Sequence, residues 1–227
     1  RFVNAIADDI KDDYPDIAIE TLAYQYTRKP PEITRLRPNV IVCLCTIECC
    51  FIHPLETDPF NTSFVDDIKG WHRICDRLWI WDYIINYAHS ICPFPNLYVL
   101  KPNIEFFINN GVKGIYEESC YYTKGSELQE LRNYIIGQTL WDPTCDTDKA
   151  IDEFCAAYYG PAAPTIREYI NLIQDETQKI PDLHVQIYTH PRAHVTPTMI
   201  SSSAALFDQA EAAVGNDPTR LHRVQVA

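Results

Sequence analysis

No stretch of this 227-residue chain approaches the roughly 20 consecutive apolar residues that a bilayer-spanning helix needs, so no membrane span is expected. Basic charge is also short: 19 Lys and Arg stand against 31 Asp and Glu, a formal net charge of −12. Proteins that grip a phosphate backbone displace its counterions with a lysine and arginine surface, so nucleic acid is excluded as an expected partner. Glycine is scarce, at 7 residues, and no Gly-rich loop runs into a helix N-terminus after the fourth predicted strand. That argues against a phosphate-handling barrel enzyme. There is no internal repeat and no low-complexity linker. The N-terminus carries neither a basic-then-apolar leader nor an initiating Met. It opens at Arg1 inside a predicted helix over residues 2–13, and upstream residues are expected to have been removed or to belong to a longer protein.

Cysteine is present, but not as a scaffold. The nine cysteines are odd in number and mostly embedded in apolar stretches, unlike the even, loop-spaced set of a small disulfide protein. Cys43, Cys45, Cys49 and Cys50 cluster without the spacing of paired zinc ligands. Strand alternation puts Cys43 and Cys45 on one face, where free cysteine behaves as a small hydrophobe. No metal and no other cofactor is expected.

With 46% hydrophobic and 12% aromatic residues the chain has material for a sizeable core. Four apolar runs bounded by Pro, Asn, Asp or Gly predict strands over residues 17–24, 39–46, 78–85 and 112–117. Helical patterns over 64–75, 103–110 and 128–140 follow the later strands, the last opened by the capping-box pair Ser126 and Gln129. The first crossover, residues 25–38, contains Pro30, Pro31 and Pro38 and predicts no long helix, yet it is long enough for parallel pairing. Runs such as Val40-Ile41-Val42-Cys43-Leu44 suit strands buried on both faces. The expected fold is therefore α/β, the C-terminal half of a (β/α)8 TIM barrel over residues 1–143, followed by a helical segment over 144–227. Within that segment, helices are expected from Asp146 or Thr147 to Tyr159 with Gly160 as the stop, and over 165–180, 201–214 and 218–226. Such a half needs the N-terminal half of the barrel. Alone, its open strand edges and apolar interior predict instability or dimerisation.

In a (β/α)8 barrel the chemistry stands at the C-terminal strand ends. Here those ends carry Tyr24 and Tyr26, then Glu48 and His53, then Trp81, Asp82 and Tyr83, then Glu117 and Glu118. Cleavage of a glycosidic bond needs two carboxyl groups, and Glu48, Asp82 and Glu117 are the candidates, on separate strands. Of the adjacent Glu117 and Glu118 only one can face the barrel axis, and Glu117 is chosen. Tyr24, Tyr26, Trp81 and Tyr83 can stack on the apolar faces of a sugar, and His53 can meet a hydroxyl. Each has an alternative. Asp82 can accept backbone hydrogen bonds or pair with Arg73 or Arg77, Glu48 can form a structural ion pair, and His53 can be incidental. Trp79, Trp81 and Tyr83 share the face opposite Asp82 and can simply pack against the helix layer.

The segments Thr21-Leu22-Ala23-Tyr24-Gln25-Tyr26, Arg37-Pro38-Asn39-Val40, Ile47-Glu48-Cys49-Cys50 with His53-Pro54-Leu55, Trp81-Asp82-Tyr83, Gly111 to Glu117, Leu140-Trp141-Asp142-Pro143 and Tyr158-Tyr159-Gly160 occur in an order that resembles a large family of bacterial domains of unknown function. That family is similar in fold to the α-glucuronidase and hexosaminidase branches of the glycoside hydrolases. The resemblance implies a (β/α)8 barrel in exported proteins, periplasmic or at the cell surface, that break down polysaccharide. It also implies that Glu48 and Asp82 occupy strand ends where such enzymes activate water, with a general acid on an earlier strand. The expected function is thus hydrolysis of a polysaccharide or oligosaccharide, at a uronic acid among other sugars; the alternative is a non-catalytic carbohydrate-binding barrel.

Overall fold

The computed structural model describes residues 1–123 and 125–227. A first helix, α1 (Phe2–Ile10), leads into strand β1 (Ile19–Ala23), and the proline-bearing crossover contains only a single tight turn at Gln25–Thr27 before β2 (Val40–Cys45). Then follow α2 (Thr62–His72), β3 (Leu78–Tyr83), α3 (Leu100–Asn109), β4 (Gly114–Glu118) and α4 (Gln129–Trp141). The four strands form one parallel sheet in sequence order, β1-β2-β3-β4. Sequential parallel pairing with a crossover between neighbours is the arrangement that short buried strands and intervening helices favour.

The two faces of the sheet differ. Val42, Leu44, Leu78 and Ile80 are fully buried and share one apolar core with Phe64 and Ile68 of α2 and Phe106 and Phe107 of α3. Alternation carries Leu22, Trp79 and Tyr116 to the opposite face, where Leu22 is 46% and Tyr116 52% exposed. The helices therefore cover the aliphatic face, and the aromatic face is the open one. Of the three residues expected to be able to meet the helix layer, Trp79 is 36% exposed on the open face, whereas Tyr83 is buried in the first core and Trp81 packs against its edge. The branched aliphatics form that layer contact, and Trp79 instead lies so close over Gly114 that a Cβ there would stand 2.7 Å from the indole.

Beyond β4 the chain is helical: α5 (Thr147–Tyr159), α6 (Ala163–Gln178), α7 (Pro197–Val214) and α8 (Pro218–Val226). Their ends are written locally. Asp146 caps α5 by accepting from the Lys149 amide at 3.1 Å, and Gly160 stops it with a positive φ of 57°. Thr196 caps α7 by accepting from the Met199 amide, with Pro197 at the first helical position. These helices, together with α4 and Ile84, Ile85, Leu97 and Leu100, build a second apolar core. One stretch between α6 and α7 leaves it. Leu183, Val185 and Ile187 pack into the first core, so a segment well past residue 143 lies against the sheet.

Candidate functional site

At the C-terminal ends of β3 and β4, on the open face, six side chains line an open cavity of about 310 Å³: Tyr83, Tyr87, Glu118, Tyr121, Tyr122 and Tyr188. Tyr87 is its hub. Its ring meets Tyr83 edge-on at 5.8 Å and lies 6.2–6.4 Å from Tyr121, Tyr122 and Tyr188. Its hydroxyl donates to the Glu118 carbonyl at 2.7 Å, and its own carbonyl accepts from the Tyr122 hydroxyl at 2.6 Å. Burial pushes the Tyr83 and Tyr87 phenols well above their ordinary range, with the Glu118 charge adding to the effect, so both remain neutral hydrogen-bonding groups.

Residues in and just past the strands feed this face. Trp81 donates its indole N–H to Glu118 Oε2 at 2.5 Å and meets Tyr116 edge-on at 4.8 Å. Cys43 and Cys45 pair in register with Trp79 and Trp81 and are buried among them. Desolvation pushes both thiols up to about 12, so they act as apolar packing. Tyr24, at the end of β1, has its phenol raised by partial burial and by neighbouring charge, including Glu118.

Tyr188 arrives from the segment between α6 and α7. Backbone bonds seat that segment on the strand ends: the Phe51 amide donates to the Val185 carbonyl at 2.9 Å, and the Tyr87 amide to the Ile187 carbonyl at 2.8 Å. Gln186 donates to the Glu48 carbonyl and Asn86 to the Thr189 carbonyl.

Asp82 and Glu117 stand on the other face. They are partners in the β3–β4 register, with Asp82 buried beside Thr46, whose hydroxyl donates to Asp82 Oδ1. Glu117 Oε2 is buried without a hydrogen-bond partner among the described residues. Desolvation pushes Asp82 up to about 6 and Glu117 well above the carboxylate range, the second helped by the charge of the first. Parallel register puts Glu117 beside Asp82 and Glu118 beside Tyr83, so Glu117, chosen from the sequence to face the barrel axis, lies on the helix-covered face and Glu118 on the aromatic one.

The remaining candidates scatter. Glu48 is held by Arg28 at 3.0 Å, the structural ion pair that was its alternative reading, and Arg28 also pairs with Asp67 at 2.7 Å. Tyr26 is 94% exposed and does not line the cavity. His53 turns toward Cys50 and Asp58. Of the expected set, Tyr83 lines the aromatic cavity and Trp81 and Tyr24 adjoin it. Sequence reasoning missed Tyr87, Tyr121, Tyr122 and Tyr188. The Tyr121-Tyr122 doublet just past the fourth strand was the available signal; Tyr188 had none.

No curated protein and no solved structure matches the chain. One family model does, over residues 1–171, which span the sheet, the Trp81–Glu118 contact and every residue of the aromatic cavity except Tyr188. The chain belongs to the family described as a domain of unknown function, DUF4838.

Proposed function

We propose that the four β/α units are half of a (β/α)8 barrel of glycoside-hydrolase type, and that the aromatic cavity at their strand ends binds carbohydrate. The observation that carries this reading is the cavity itself: five tyrosines and one carboxylate gathered where a barrel of this kind keeps its site. Pyranose C–H faces stack on phenol rings, while neutral phenol hydroxyls and a carboxylate hydrogen-bond the sugar's rim. In the complete protein the remaining strands would close the open face over Trp79, Trp81 and Tyr116.

Hydrolysis is the second reading, favoured by the place of Glu118, which is oriented by the Trp81 indole and projects at a strand end. Glycosidic cleavage needs a second carboxyl group across the bond, and in this reading it comes from a strand outside these four. Asp82 and Glu117 then serve the scaffold rather than the sugar. Arg28 is committed to Glu48 and Asp67, so it is not free to clamp a uronate.

The test is calorimetric titration with a panel of neutral and uronic-acid-capped oligosaccharides, alongside hydrolysis assays on the same panel with Glu118→Gln and Asp82→Asn. Binding that is lost in Tyr188→Ala supports the carbohydrate reading. Turnover abolished by Glu118→Gln but retained in Asp82→Asn adds the hydrolase reading. A panel with no binder sinks both.

A further inference from the structure

Four side chains of metal-ligating type converge from two distant stretches of chain. Cys50, His53 and Asp58 stand in the loop between β2 and α2, His184 in the segment after α6, and their ligand atoms all lie within 4.8 Å of one another. Cys50 Sγ is 3.5 Å from His53 Nδ1, and Asp58 Oδ2 is 3.4 Å from His53 Nδ1 and 3.3 Å from His184 Nδ1.

These contacts do not add up to a satisfied hydrogen-bond network. Asp58 Oδ1 is accounted for, since it accepts from the Phe60 amide at 3.0 Å. Among the described residues, Asp58 Oδ2 and His184 Nδ1 are both buried with no hydrogen-bond partner, although they face each other at 3.3 Å. A buried carboxylate oxygen without a partner is costly, and so is a buried imidazole nitrogen. A cation among these atoms would satisfy both.

The spacing matches a particular geometry. A tetrahedral zinc ion, about 2.3 Å from sulfur and about 2.0–2.1 Å from nitrogen and oxygen, separates its N and O ligands by about 3.3 Å and its S and N ligands by about 3.6 Å. The Cys50–His53, His53–Asp58 and Asp58–His184 separations match these values, and all four ligand atoms lie within 4.8 Å of one another. One thiol, two imidazoles and one carboxylate select zinc over magnesium or calcium, which prefer an all-oxygen shell. We propose that Cys50, His53, Asp58 and His184 form a four-coordinate zinc site.

The supporting contacts hold the ligands in place. Asn61 fixes the Cys50 backbone from both sides, accepting from its amide at 2.8 Å and donating to its carbonyl at 3.1 Å. The His184 ring stacks on Phe60 at 4.6 Å, which sets its orientation. Four protein ligands leave no open position, so the site is structural. Zinc binding releases the Cys50 thiol proton to solvent, and the metal's two positive charges are balanced by the thiolate and the Asp58 carboxylate. The ion would staple the segment that carries Tyr188 onto the loop after β2. This proposal does not depend on the carbohydrate reading.

The experiment is elemental analysis of the purified chain after dialysis, combined with melting curves with and without chelator and with the spectrum of the cobalt-exchanged protein. The expected result is one zinc ion per chain, a melting temperature that falls on chelation and recovers on adding zinc, and a cobalt spectrum with a thiolate charge-transfer band and tetrahedral d–d bands. His184→Ala, at a half-exposed ring, should lose stoichiometric zinc. The cobalt spectrum needs no variant, so a Cys50→Ser chain that fails to fold leaves the test intact. A zinc-free chain whose melting temperature ignores added zinc overturns the site, as does zinc retained at full stoichiometry in His184→Ala, or a cobalt spectrum without the thiolate band.

Discussion

Asp82 and Glu117 sit side by side across the β3–β4 register, with their carboxyl groups on the helix-covered face of the sheet. Two carboxylates so placed cannot both ionise cheaply. Each is desolvated, Glu117 also feels the charge of Asp82, and only Thr46 and the Tyr83 amide compensate on the Asp82 side.

The pair makes stability depend on pH. Asp82 has its folded value raised from 3.8 to about 6, so the folded state binds the proton more tightly than the unfolded one. The stability it contributes is full below the unfolded value and is lost as pH rises through the folded one; Glu117 acts in the same direction. Asp82→Asn keeps an oxygen for the Thr46 hydroxyl and removes the titration. Measured by urea unfolding, the variant should gain on the wild type between about pH 4 and pH 7.5, by up to about 3 kcal/mol at one pKa unit per about 1.4 kcal/mol. A difference that stays constant with pH would refute this assignment.

Arg132 is the largest side chain sealed in the interior, and every part of its guanidinium is engaged. It donates to Asn96 Oδ1 at 3.0 Å, to the Phe94 carbonyl at 3.1 Å, and to the carbonyl and carboxylate of Glu127. Arg132→Met would strand the buried Glu127 carboxylate and should cost about 3–5 kcal/mol, whereas adding Glu127→Leu should recover much of that loss. Denaturant midpoints of the two variants check the ordering, and a double variant no better than the single one would contradict it.

Most of this architecture is legible in the residues, and the illegible parts have physical reasons. Buried runs such as Val40 to Cys45 and the Asp146 and Gly160 signals delimit β2 and α5 to within a residue. The α7 start lies at Pro197, four residues before the predicted one, because the Thr196 cap and the first-turn proline start the helix upstream of its apolar pattern. Alternation separates Asp82 from Trp81 but does not say which face takes the helices; that depends on Phe64, Phe106 and Phe107, whose packing is tertiary. Tyr188 and His184 were invisible for the same reason, since each meets partners more than 60 residues away in the chain.

Two glycines should respond with opposite signs. Gly160 has φ +57°, and a Cβ there would stand 2.5 Å from Arg220 Nε, displacing a side chain that pairs with Asp217 at 2.7 Å. Gly160→Ala should cost about 1–3 kcal/mol. Gly137 lies within α4 with nothing among the described residues within 4 Å of an added Cβ, so Gly137→Ala should stabilise by about 0.5–1 kcal/mol. Thermal midpoints that move in the same direction would break the argument.

The Trp81–Glu118 contact allows the proposed sugar site to be probed apart from folding. Trp81 is half-buried and donates its indole proton to Glu118 Oε2. Trp81→Phe keeps a ring against Tyr116 but removes that donor, so the Glu118 carboxylate loses its fixed orientation while the apolar surface largely remains. Oligosaccharide affinity should fall by about 10-fold, the value of roughly one hydrogen bond at 1.4 kcal/mol per decade, while the unfolding midpoint moves little. Tyr188→Ala removes a cavity wall rather than an orienting bond and should weaken binding more. Isothermal titration against the best oligosaccharide, run beside a urea melt of each variant, separates the effects. Full affinity in both variants would mean that the cavity is not where sugar binds.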